Sequence, residues 1–142
     1  MSHNVTLNGV KITDLSLLAH AIKKVVGNKA TLNKQASTFR TYRGQPNNCD
    51  AAILLSEGKH DIGLSKQSDD AYTAVFDPYA MSSMFKSPHA IGGSSDPAGH
   101  IGMLLQEYGL ATAEYKAAQN GMSTTRIQGE KGLVSLEITD NA

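Results

Sequence analysis

From Ser37 to Asp77 the apolar period changes to two, clearest at Tyr72, Ala74 and Phe76, and nothing else in the chain narrows its fold as far. Phe39 to Arg43, Ala51 to Leu55, Asp61 to Leu64 and the alternating Tyr72, Ala74 and Phe76 each read as a strand. Ser56-Glu-Gly-Lys59 joins the second to the third as a hairpin turn. Parallel neighbours need a crossover of about a dozen residues, and these connections are shorter, so the pattern predicts an antiparallel meander.

Outside this stretch the period lengthens to that of a helix. Leu15, Leu18, Ile22 and Val25 form one apolar stripe, Asp14 is placed to cap it, and Gly27 marks its end. Lys23 and Lys24 lie in the last turn, where the helix dipole favours cations. A second helix is predicted from the Asp96 cap and Pro97 to Asn120-Gly121. Its stripe is Ile101, Leu104, Leu105, Tyr108, Ala111, Tyr115 and Ala118. Gly102 and Gly109 each cost that helix about 1 kcal/mol relative to alanine. They either admit another backbone or are tolerated. Val5 to Ile12 changes face at Asn8-Gly9 and reads as an edge or kinked strand. The tail reads as a hairpin, Arg126 to Gln128 and Leu133 to Ile138 around Gly129-Glu-Lys-Gly132. Val134, Leu136 and Ile138 share a face expected to pack on the core.

The expected fold is therefore α+β. An antiparallel sheet of about five to seven strands carries two main helices on one face, in a single domain spanning 1–142. The opposite face is expected to be wet or an interface. A Gly/Ser-rich loop at about 78–98 interrupts the pattern, and Met81, Met84 and Phe85 offer either a partner surface or ordinary packing beneath it.

Composition removes several classes of function. A chain of 142 residues with 40% hydrophobic and 18% charged side chains can build its own core. Basic and acidic residues balance at 13 each, which disfavours nucleic acid as partner and favours association. Cys49, the only cysteine, excludes an internal disulfide and a cysteine metal cluster. No apolar run approaches the roughly 20 residues that span a bilayer. Met-Ser-His-Asn at the start is unlike a signal segment, so a cytoplasmic location is expected.

Tyr42-Arg-Gly-Gln45, Asp50-Ala-Ala-Ile53, Asp61-Ile-Gly63, Tyr72, Asp77 and the Leu104-Leu-Gln106 helix with Tyr108 and Tyr115 occur in a telling order. Together with the opening Met1-Ser2-His3, they resemble the hypothetical chloroplast reading frame thirty-five family, also called domain of unknown function twelve fifty-seven. The resemblance covers most of the chain apart from residues 78 to 96. It implies a cyanobacterial, plastid or phage-type protein with the fold above, and brings no established activity. Members tend to carry tryptophans after the aspartate that aligns with Asp77, whereas Pro78-Tyr79 stands here and the chain has no tryptophan.

Four constellations could carry chemistry. His60-Asp61 pairs a base with a carboxylate, but strand neighbours point to opposite faces. A hydrolase using Asp50, Asp61 or His60 is accordingly the weakest of three readings. Arg43 with Asp50, Asp61 and Asp77, flanked by Tyr42, is the candidate binding cluster; it is either a structural ion network or a site where Arg43 holds a small anion such as a nucleotide phosphate. His3, His20, His60, His89 and His100 lack metal-ligand spacing. Gly92 to Gly99 precedes a helix, yet Asp96 would repel a phosphate there. No catalytic residue, metal or cofactor is assigned. The expected function is a non-catalytic protein that self-associates or adapts or inhibits a larger host or viral protein, with small-ligand binding as the alternative.

Overall fold

A computed structural model describes residues 5–6, 11–41, 46–56, 60–77, 101–129 and 134–140. The central element is a five-stranded antiparallel sheet. In chain order its strands are β1 (Val5–Thr6), β2 (Ala30–Asn33), β5 (Ala51–Leu55), β6 (Ile62–Lys66) and β7 (Tyr72–Phe76). They lie in the order β1-β7-β6-β5-β2. Between β2 and β5 a separate two-stranded ribbon forms from β3 (Thr38–Arg40) and β4 (Pro46–Asn48). The helices are α1 (Leu15–Val26) and α2 (Gly102–Gln119), and the chain closes with a second ribbon, β8 (Met122–Gln128) and β9 (Val134–Asp140).

Local chemistry sets the boundaries of α1. Asp14 accepts hydrogen bonds from the amides of Ser16 and Leu17, which caps its start. Gly27 ends it at φ +62°, a conformation that side chains other than glycine resist. The core lies on one face of the sheet. Ile53 stands opposite Leu32 and Ile62, and Leu64 stands opposite Ala51 and Ala74, so these side chains share that face. They join Leu18 and Ile22 of α1 and Leu104 and Tyr108 of α2 in one buried cluster. Two helices on one face of an antiparallel sheet, as the sequence predicts, is the observed arrangement. The Tyr108 hydroxyl accepts from the amides of Thr13 and Asp14 at 2.9 and 3.1 Å, which fixes α2 against the entry of α1.

The structure corrects several expectations. Ala30–Asn33 is a strand that the pattern did not reveal, because only Ala30 is buried and Leu32 is half-buried. Phe39 belongs to the β3–β4 ribbon and not to the main sheet. Its ring lies over Gly63, so the second sheet face is neither wholly wet nor open: a Cβ at Gly63 would come within 2.3 Å of Phe39 Cε1. The stripe on α2 is narrower than predicted, since Tyr115 is 51% exposed and Ala118 is exposed. Gly109 has nothing within 4 Å of where a Cβ would stand, so it is tolerated, not required. The tail hairpin exists with longer strands, but it does not join the core. Val134 and Leu136 are half-buried and Ile138 is 52% exposed. The predicted helix start at Asp96, and the loop with Met81, Met84 and Phe85, lie outside the described residues. Among the described residues no helix is long and apolar enough to cross a membrane.

Candidate functional site

Asp61 immediately precedes β6, and alternation along that strand turns it to the face that carries Gly63 and Phe39. It is 2% exposed. One carboxylate oxygen accepts from Arg40 N and Nε at 3.1 and 3.0 Å. The other accepts from Arg40 Nη2 at 2.7 Å and from Leu55 N at 3.1 Å. Arg40 Nη2 also donates to the Leu55 carbonyl at 2.8 Å. Burial pushes the Asp61 carboxyl up, but the Arg40 guanidinium and the two amides outweigh it and hold the group below the usual carboxylate range. The same hydrogen bonds raise Arg40 above its ordinary value. A carboxylate with both oxygens occupied and its affinity for protons lowered is a poor general base. Its work is to tie β3 to β5 and β6.

The other residues singled out by the sequence fall in different places. Asp77 is 1% exposed at the end of β7. Carrying the β6–β7 register two residues beyond Gly63↔Val75 sets it across from Asp61. Asp50 caps the far end of β5, where it accepts from Lys66 N at 2.7 Å. Five residues separate Asp50 from Leu55, about 17 Å of strand, so Asp50 and Asp61 do not meet. Arg43 and Tyr42 lie outside the described residues. The arginine that engages Asp61 is Arg40, which the sequence reading passed over. Nε2 of His60 is buried with no hydrogen-bond partner among the described residues. Cys49 is half-buried and its thiol is pushed up, chiefly by burial, away from the reactive thiolate. No group of three or more potential metal ligands occurs among the described residues.

Beside the Arg40–Asp61 pair a shallow cleft of about 350 Å³ is lined by Thr38, Phe39, Arg40, Pro46, Leu54 and Asp61. Its walls are mainly apolar, and its one charge pair is internally neutralised.

A second polar cluster was missed altogether. Arg126 on β8 forks onto Glu107, with Nη1 and Nη2 at 2.8 and 2.6 Å from its two oxygens. Through Nε and Nη2 it also holds Glu114 at 3.0 and 2.7 Å. Glu107 and Glu114 lie two turns apart on α2, hence on one face, and that spacing was the available signal. Arg126 is raised further by its hydrogen bonds to both carboxylates, and Glu114 is lowered by Arg126. Lys24 of α1 stands 4.0 Å from Glu107. This clamp holds the arm against α2 on the face it shares with half-buried Val134 and Leu136, while Met122, Ile127 and Ile138 of the β8–β9 ribbon are all at least 36% exposed. No family model, curated protein or solved structure matches the chain.

Proposed function

We propose that this protein works by association and not by turnover, binding copies of itself or a larger partner. One observation carries the reading. The Arg40–Asp61 and Arg126–Glu107–Glu114 groups are committed to intramolecular ties, whereas exposed apolar side chains gather on a two-stranded arm whose edge is open among the described residues. Such an arm is marginal on its own and gains from added strands or covered surface. The resemblance stated above adds a phage or bacterial origin and a cytoplasmic setting to the proposal. Size-exclusion chromatography with light scattering, followed by a pull-down with tagged protein, tests it. A particle larger than 15.1 kDa or a captured partner supports association, and a strict monomer with no partner removes it.

A second reading, small-ligand binding, has the cleft beside Arg40 in its favour. A mainly apolar wall with one paired guanidinium suits a small, mostly apolar ligand. A thermal-shift screen of nucleotides and organic acids tests it, and Arg40→Ala should abolish any hit.

A further inference from the structure

Open strand edges invite other chains, and proteins guard them with short strands, lysine, proline or bulges. The five-stranded sheet is guarded at both ends among the described residues. β1 is two residues long, and β2 is four residues long between Lys29 and Lys34. The outer edge of β9 has none of these devices. Val134–Asp140 is seven residues long, holds no lysine or proline, and keeps an unbroken register with β8. Its other side pairs with nothing among the described residues.

The sequence of that strand is its own complement. The register with β8 places Val134, Leu136 and Ile138 on the face that carries Arg126, toward α2, and Ser135 and Glu137 on the opposite face. Set antiparallel against itself about Leu136, β9 brings Val134 opposite Ile138 and Leu136 opposite Leu136 on the first face. On the second face Ser135 meets Glu137. Moving the centre to Glu137 sets like charges opposite each other and Val134 opposite Asp140. A slip of one residue sets an apolar face against a polar one. β8 offers no such register, because Met122 and Ile127 stand on opposite faces.

We infer that β9 pairs with β9 of a second copy across a two-fold axis at Leu136, joining the two arms into one four-stranded sheet. The inference rests on the association reading above and names its surface. It gives Ile138, 52% exposed in the single chain, an apolar neighbour, and it turns two marginal ribbons into a sheet large enough to hold by itself. The contact uses the strand edge and leaves α2 where it lies. Both copies of α2 sit on the same side of the joined sheet. Each packs mainly on its own β8, so they stand about 14 Å apart, three strand spacings, which clears a helix diameter of roughly 10–12 Å. A two-fold contact uses the same patch on both copies and closes at two.

The test uses the full chain and substitutions at Ser135 and Glu137, which are exposed on the ribbon face away from α2. Circular dichroism checks that every variant stays folded. Light scattering reads mass over a concentration series reaching about 1 mM, the weak end of specific binding. The wild type should approach twice 15.1 kDa and go no further. Ser135→Glu sets a carboxylate against Glu137 of the other copy, twice per dimer, and should weaken the dimer. Ser135→Lys sets a cation there and should tighten it. Each should shift the dissociation constant by roughly 2–30-fold, in opposite directions. Ser135→Glu with Glu137→Lys in the same chain should restore the dimer, because the paired positions attract again. If the wild type dimerises and these substitutions leave its mass unmoved, or move it the other way, this edge is wrong while association stands. A mass that keeps growing past two copies overturns the two-fold pairing. A wild type that stays at 15.1 kDa throughout overturns the inference and leaves the association reading to the capture of a partner.

Discussion

Replacing Asp61 with asparagine tests whether its carboxylate holds three strands together. The substitution keeps the shape but turns one oxygen into a donor. Whichever way the amide lies, two donors lose their acceptor. They are either Arg40 N and Nε, or Arg40 Nη2 and Leu55 N. In each case one is a backbone amide with no other acceptor to turn to, and an orphaned buried donor costs about 1–3 kcal/mol. The guanidinium is nearly half exposed and can turn to water, so it adds less. The expected loss is about 2–4 kcal/mol, a large part of a typical total of about 5–15 kcal/mol. Arg40→Met leaves both amides bound to the carboxylate and should cost about 1–2 kcal/mol. Urea unfolding followed by circular dichroism measures both. Acid provides an independent readout. The folded Asp61 titrates below its unfolded value of about 3.9, so its contribution is complete above that pH and is lost as pH falls through the folded value. Asp61→Asn should therefore flatten the fall in stability below about pH 4. A loss under about 1 kcal/mol, or an unchanged acid limb, would refute the reasoning.

Gly63→Ala should cost about 1–3 kcal/mol by driving a methyl into the Phe39 ring, and Phe39→Leu in the same chain should recover part of it in a double-mutant cycle. Gly109→Ala, by contrast, meets open space within α2 and should stabilise by about 1 kcal/mol, raising Tm by roughly 4 °C in a thermal melt. Arg126→Met should loosen the arm without unfolding the core, with faster amide hydrogen exchange in 122–128 and unchanged exchange in 51–55.

Elements that bury one face were legible because burial writes a period into the sequence. α1 reads from Asp14 to Gly27, and β5 and β7 read over the residues observed. β2 was silent because an edge strand of four residues needs only Ala30 to be fully buried. Asp61 was visible as a residue, but its partner was not. That partner is Arg40, and only the fold of β3 over β6 brings the two together. The Arg126 clamp depends on a contact between α2 and the arm, which no local pattern encodes. The tail's apolar alternation was real, but it marks the ribbon face turned to α2, where Val134 and Leu136 are half-buried beside Arg126, and not the main core.

The hydrogen bonds from the amides of Thr13 and Asp14 to the Tyr108 hydroxyl join residues 95 and 94 positions apart in the chain. During synthesis, α1 and the sheet emerge well before the helix that covers them. The nascent chain thus presents a greasy, uncapped surface until residue 108 leaves the ribosome, an interval in which strand edges can mispair. Slow translation through 78–107 lengthens that exposure, and a chaperone that shields apolar surface shortens its consequences.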